Sequence, residues 1–430
     1  MARARKSTSP SATGVLKWGV WGFKSHIEPT AFRFSPLTIL CGANSSGKSS
    51  VMQPLLLMKQ TLDALPLDAG ALKLDGPNVS FTDPRQFISV VPGQKRGAEL
   101  FLAYLELAPG DSAAEPLGVN VGFTVAKARG HRASAIEIEF CEYRRGTRRP
   151  VQFKRGPNVE RIGCFLIPSN RADPTDLPYG LSDLIDHLRR LIHLSGHRGN
   201  PERQYPRLVV SADRQPGLFH TRAASTLASW PETEAGRRKL KSLSQWLRAL
   251  GLTWKAEAIA RDATSLEILV GRTADSARGS ARDLVSVADV GFGVSQSLPV
   301  LIGLIEAEPD QLVYVEQPEI HLHPRAQKGM ADLIAARVRD GVQVIVETHS
   351  DILLTRLQHA VAIGTLRPDQ VVAHWFQRDA KTGRSKVTSQ TPDEAGALGE
   401  WPVDFADVAS EVDAEYADAA YEHLPVEDDA

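Results

Sequence analysis

The 430-residue sequence predicts an α/β protein: a parallel sheet with helices on both faces, plus an inserted lobe of antiparallel strands and helices. Three observations lead there. Leu37-Thr38-Ile39-Leu40, Leu312-Val313-Tyr314-Val315 and Val342-Gln343-Val344-Ile345-Val346 are apolar runs of strand length, as in parallel sheets covered on both sides. The first leads into Gly42-Ala43-Asn44-Ser45-Ser46-Gly47-Lys48-Ser49, a G-x-x-x-x-G-K-S loop, and then an apolar helix from Val51 to Leu62. Between the early and late strands, residues 96–170 alternate apolar and polar, as in Ala135-Ile136-Glu137-Ile138-Glu139-Phe140, the period of antiparallel sheet.

Met1 to Gly14 is rich in Arg, Lys and Ser, leads to no apolar signal core, and is expected as a disordered tail. Val15 to Phe23 and Phe32 to Leu40 read as two strands joined by a turn. Pro54, in the second turn of the 51–62 helix, should bend it or delay its start. Leu181 to Leu194 and Leu240 to Leu250 read as amphipathic helices, with a short strand from Arg207 to Ser211 between them. Val290 to Ser297 is a Gly/Ser loop opening a helix from Leu298 to Ala307. Between the last two apolar strands, Pro324 starts a helix and Gly341 follows its end, with Ala326, Met330, Ile334 and Val338 on one face. The expected organisation is a tail at 1–14, a sheet domain from 15–95 plus 281–376, an inserted lobe at 96–280, and a small C-terminal domain at 377–430. From Val403 onward that last segment holds ten Asp/Glu and no Lys/Arg.

Composition narrows the class. An apolar fraction of 42% and a charged fraction of 23% are those of an ordinary soluble globular protein. A net charge of −1 excludes a polycation, so a nucleic-acid surface would have to be a local patch. Cys41, Cys141 and Cys164 lack metal-ligand spacing, and a sparse, odd set suits a reducing cytosol. The longest apolar run, Leu298 to Ile305, falls short of the roughly 18 residues a membrane helix needs. A cytoplasmic protein without membrane contact is expected.

The loop points to phosphate chemistry. Its glycines let backbone N–H groups of Gly42, Asn44, Ser45, Ser46, Gly47, Lys48, Ser49 and Ser50 turn towards phosphate oxygens. Lys48 brings charge to the β/γ end, and the Ser49 hydroxyl can ligate Mg²⁺. ATP with Mg²⁺ is the expected cofactor pair. Such a loop needs a carboxylate at a neighbouring strand end, and Glu316 offers one, so Ser49 and Glu316 are the expected metal ligands. Gln317 and Glu319 follow it, and His349 stands at the tip of the next strand. Gly291, Gly293, Ser295 and Gln296, before a helix, form a second anion site.

The order of these parts resembles the ABC-type ATPases of the SMC and recombination-repair class, and more closely the OLD-like (overcoming lysogenization defect) predicted ATPases of prokaryotes. The E-[EQ]-P-E-x-H-L-H-P hallmark of that family matches Glu316 to Pro324, and its E-T-H-S matches Glu347 to Ser350. Gly396 to Phe405 looks like the small C-terminal domain of one branch. The resemblance is strong over 15–95 and 281–405 and loose over the insert. It implies an ABC-type ATPase fold and a homodimer or larger assembly closed around ATP. In it, the Gly291–Ser297 loop of one subunit would cap the γ-phosphate held by the other, and His349 would sense that phosphate.

Two departures from the family pattern stand out. Gln317 occupies the position of the carboxylate that polarises the attacking water, and glutamine cannot accept a proton at neutral pH. Either hydrolysis is slow, or Glu319 or His349 substitutes; Lys48, Glu316, Gln317, Glu319 and His349 form the expected catalytic set. Gly291 stands where the family's signature has serine, and Ser295 is the candidate replacement. The expected function is anti-phage defence through a separately encoded effector such as a nuclease, because the stretch after Asp351 is too short for the Toprim nuclease that OLD-like enzymes fuse there. The alternatives are a DNA repair or maintenance ATPase and a regulatory scaffold with little turnover. Arg144, Arg145, Arg148 and Arg149 are either a DNA contact or a solvated hairpin tip. His321 and His323 read as a metal pair only if they lie on a strand, and Arg214 as either a phosphate contact or a partner to a core acid.

Overall fold

The computed structural model describes residues 14–64, 70–90, 100–109, 115–126, 135–171, 177, 180–210, 217–273, 283–399, 414–417 and 419. The basic tail, Arg214 and most of the acidic segment lie outside them.

Strands β1 (Gly14–Trp21), β2 (Thr30–Arg33) and β3 (Leu37–Gly42) come first. The expected strand from Phe32 to Leu40 is thus two, broken where Pro36 can donate no ladder hydrogen bond. Helix α1 (Lys48–Asp63) starts directly after the loop and carries Pro54 inside it, so the proline does not delay its start. The insert supplies β4 (Leu100–Ala108), β5 (Leu117–Val125), β6 (Ile136–Arg145), β7 (Val151–Lys154), β8 (Val159–Ile162) and β9 (Phe165–Pro168). Then come α2 (Leu181–Arg190), β10 (Ile192–Leu194), β11 (Tyr205–Pro206), α3 (Ala223–Ser229), α4 (Glu234–Ala249), β12 (Ala256–Ala260), β13 (Ser265–Gly271) and β14 (Leu284–Ser286). The chain closes with α5 (Phe292–Glu306), β15 (Leu312–Glu316), α6 (Pro324–Arg339), β16 (Gln343–Glu347), α7 (Asp351–Ala362), β17 (Val371–Arg378) and β18 (Ser385–Gln390).

The central sheet runs β10-β15-β16-β3-β17-β18, parallel except for the final hairpin. One of its members, and one strand of the separate β11-β13-β12 sheet, correct the sequence reading. Ile192–Leu194 leaves the expected 181–194 helix and pairs in parallel with Val313–Val315. The short strand expected at 207–211 is instead Tyr205–Pro206, paired with β13. What reads as a Gly/Ser loop before Leu298 is already the first turns of α5, which begins at Phe292.

Side chains alternate across the sheet, as the pleat requires. Leu37, Ile39, Cys41, Val313, Val315, Val344 and Val346 face one core with α5, α6 and α7. Leu40, Leu312, Tyr314 and Ile345 face the other, made with α1, α2 and the antiparallel sheet β2-β1-β4-β5-β6-β7. Covering both faces is why these strands read as continuous apolar runs. Polar contacts to β1 help to join the layers. Trp18 Nε1 donates to the Val51 carbonyl on α1 (2.7 Å). The buried Gln343 amide accepts from Val15 N (2.9 Å) and donates to Val15 O (2.7 Å).

Candidate functional site

By the same alternation, the residues ending β15 and β16 sit on the α1 face, beside the N-terminus of that helix. Gly42 enters the loop at φ 139 and Gly47 leaves it at φ 108, values that favour glycine. A Cβ on Gly42 would fall inside contact distance of the Phe376 carbonyl, and one on Gly47 would meet Ser385 Oγ. The loop is also gripped from outside. His26 Nε2 bonds to Gly47 O (3.1 Å), Ser385 Oγ to Ser46 O (2.6 Å), and Arg378 Nη1 to Ser45 O (3.3 Å). Sequence reasoning missed these three residues because none carries a motif and two lie more than 300 residues from the loop.

Lys48 Nζ donates to the carbonyls of Gly42 (2.9 Å) and Ala43 (2.8 Å). Burial lowers its pKa, with Glu347, Cys41 and Glu319 pulling it back up. Ser49 Oγ donates to Glu347 Oε1 (2.7 Å), and Tyr314 Oη donates to Glu347 Oε2 (2.8 Å). Burial raises the Glu347 pKa; the Ser49 bond opposes this and neighbouring Glu316 adds to it. Glu316 is engaged elsewhere: Oε1 with His193 Nε2 (3.1 Å) and Oε2 with Gly196 N (2.9 Å). Burial pushes Glu316 up, but the hydrogen bonds from His193 and Gly196 leave it below its ordinary value.

Gln317 has φ 44, its N–H donates to Glu347 O (2.7 Å), and its carbonyl accepts from Arg198 Nη2 (3.2 Å). Glu319 Oε1 accepts from Thr348 Oγ1 and His349 N, both at 2.8 Å, and burial raises its pKa. His349 is half-buried, and burial, then the Lys48 charge, lowers its pKa, which favours a neutral ring.

A pocket of about 640 Å³ opens over the loop, lined by Asn44 to Ser50, Gln317, Glu347 and His349. Lys24, Arg85 and Arg378 add cationic heads at its rim. The structure therefore brings together Asn44–Ser50, Gln317 and His349 among the expected residues. Glu316, Glu319, Gly291, Gly293, Ser295 and Gln296 do not line this pocket. Gln296 instead donates to Gly199 O (2.6 Å) and Ser295 to Phe292 O (3.3 Å). Glu347 is the site carboxylate that sequence reasoning overlooked, although it ends a buried strand just as Glu316 does.

Hydroxyl and carboxylate oxygens are the hard donors that suit Mg²⁺, and a cradle lined by backbone and Lys48 suits a polyphosphate. The residues fit both groups. Among the described residues no cluster of three His, Cys, Asp or Glu could hold a metal, so other oxygens would have to complete a shell. His321 and His323 lie on no strand: His321 sits in a turn at φ 63, and His323 caps α6 by accepting from Arg325 N. The basic hairpin is partly paired, with Arg148 on Glu115 (3.1 Å) and Arg144 on the Tyr104 hydroxyl (3.3 Å). Among the described residues no helix is long and apolar enough to cross a membrane.

Comparison with known proteins bears on the domain and the fold. Residues 236–354 match the family described as AAA ATPase domain. An OLD nuclease from Thermus scotoductus is 27% identical over 110 residues, 24% of this chain and 20% of that protein. The chain thus spans about a fifth of the curated relative it matches. The SMC head bound to the C-winged helix domain of ScpA superposes with a TM-score of 0.51 at 14% identity, covering 89% of this chain and 99% of that one. An SMC head with an extended coiled coil, bound to the C-terminal domain of ScpA and derived from Pyrococcus furiosus, gives 0.50 at 12% identity over 94% and 100%. At such identities the likeness speaks for the fold, and the expected ABC-type sheet is borne out. In its domain match over 236–354, its fold and its phosphate loop, the chain is similar to OLD-like and SMC-head ATPases.

Proposed function

We propose that this ATPase binds Mg-ATP in the phosphate-loop pocket, pairs with a second copy around it, and uses binding and slow hydrolysis to control a separately encoded effector. One observation carries the reading: the Gly291–Ser295 segment does not line its own phosphate pocket and is exposed or half-exposed. Phe292 there is 50% exposed, and a Cβ on Gly291 would meet nothing within 4 Å. An open helix N-terminus with an exposed aromatic is a surface suited to a partner's nucleotide.

Within the site, the loop N–H groups and Lys48 bind and orient the phosphates, and Ser49 with a strand-end carboxylate holds the cation. When bound, the cation neutralises charge on the phosphate oxygens. Gln317 orients a water but takes no proton, which supports slow turnover and a long-lived closed state. Similarity to an OLD nuclease over its short span supports a place in defence and a nuclease effector. The partly paired arginines of the hairpin leave DNA as the alternative partner.

Mass determination with and without Mg-ATP tests the assembly: a dimer that forms with nucleotide and is lost in Lys48→Ala is expected. A monomer at saturating Mg-ATP would refute it. Steady-state hydrolysis tests the turnover: Gln317→Glu should gain at least about tenfold, and an unchanged rate would remove the slow-turnover reading.

A further inference from the structure

We propose that Glu347, at the tip of β16, is the carboxylate that holds the divalent cation of the bound nucleotide, in place of Glu316 on the neighbouring strand. The inference rests on the nucleotide-binding reading and names the ligand within that site.

Glu316 and Glu347 are paired residues of adjacent parallel strands, so their side chains leave the same face of the sheet. Strand order then separates them: β16 lies next to the phosphate-loop strand β3, and β15 is one strand further out. Glu347 lines the phosphate pocket with Ser49, whereas Glu316 does not. The Glu316 carboxylate shares the Tyr314 hydroxyl with Glu347, but its two oxygens are held by the insert, on His193 Nε2 and Gly196 N. His193 is held in that role from behind. Asn78 Nδ2, which also reaches the Gly217 carbonyl (3.3 Å), lies 3.0 Å from His193 Nδ1, and the ring stacks on Tyr314 with centroids 5.4 Å apart. With Nδ1 accepting, Nε2 carries the proton given to Glu316.

Glu347 is set up differently. Oε2 is fixed by Tyr314 Oη, while Oε1 lies 2.7 Å from Ser49 Oγ. Two cis oxygens on Mg²⁺ at about 2.1 Å stand roughly 2.9 Å apart. The Ser49–Glu347 pair is therefore already near that edge, and a cation needs only to replace the shared proton contact. Glu316 would first have to leave both of its bonds to the insert.

The test uses the full chain, AMP-PNP as nucleotide and Mn²⁺ as the metal probe. Free Mn²⁺ is followed by EPR, and metal-free nucleotide binding by fluorescence of a labelled ATP analogue in EDTA. Glu347→Gln should weaken Mn²⁺ binding to the protein–nucleotide complex by at least about tenfold while the metal-free nucleotide affinity holds. Glu316→Gln should change Mn²⁺ affinity by less than about threefold, and Glu347→Asp should recover part of the loss. Mn²⁺ affinity that falls in Glu316→Gln, or survives in Glu347→Gln, overturns the assignment with the nucleotide reading intact. A wild-type chain that retains no nucleotide in either assay overturns both.

Discussion

Replacing Ser385 with alanine removes one oxygen from behind the phosphate loop and tests whether the C-terminal hairpin shapes that loop. Ser385 Oγ lies 2.6 Å from the Ser46 carbonyl and 2.7 Å from Ser25 Oγ. A hydroxyl has one hydrogen, so it donates to the carbonyl and accepts from Ser25. Each such bond contributes about 0.5–1.5 kcal/mol net, so alanine loosens the loop and Ser25 beside it by roughly 1–3 kcal/mol together. Part of the grip survives, because Ser385 N still donates to Ser25 O (2.9 Å) and Arg378 to Ser45 O (3.3 Å). About 1–2 kcal/mol should therefore reach the bound nucleotide, a rise in Kd of roughly 5–30-fold. Titration of a fluorescent ATP analogue with Mg²⁺ measures it, with Ser385→Thr as a control that keeps the hydroxyl. An alanine variant within twofold of wild type would refute the argument.

Three further outcomes are expected. Gly42→Ala forces a side chain at φ 139 against the Phe376 carbonyl; strain and overpacking of about 1–3 kcal/mol each should lower the urea midpoint and abolish ATP retention, and a wild-type midpoint would contradict this. Gln343→Met leaves Val15 N and O without their partners, costing about 2–4 kcal/mol; faster amide exchange along β1 is the readout, and unchanged protection would count against it. His374 is buried and neutral, with Nε2 on Arg33 O and Nδ1 on Ser389 Oγ; burial outweighs the Arg33 bond and holds its pKa down to about 4, against an ordinary 6.5. The unfolded chain therefore binds the proton first on acidification, so stability is intact above about pH 6.5 and falls by at most roughly 3 kcal/mol towards pH 4. His374→Gln should flatten that slope, and an equal slope in both proteins would refute the assignment.

Local pattern alone determined much of this protein. The apolar runs of β3, β15 and β16, the phosphate loop with Lys48 and Ser49, and the alternation of β4 to β6 follow from spacing within a few residues, where period and turn chemistry are decided. Tertiary structure decided what lies between distant segments. Ile192–Leu194 continues the apolar spacing of α2, and only the open edge of β15 makes it a strand. Glu316 and Glu347 both end buried strands, and only the order of those strands places one beside Ser49 and sends the other to His193. Ser385 and Arg378 carry no signal of their own and meet the loop because β17 pairs with β3. Strand order and register are long-range choices made by burial of whole faces, and no window of sequence contains them.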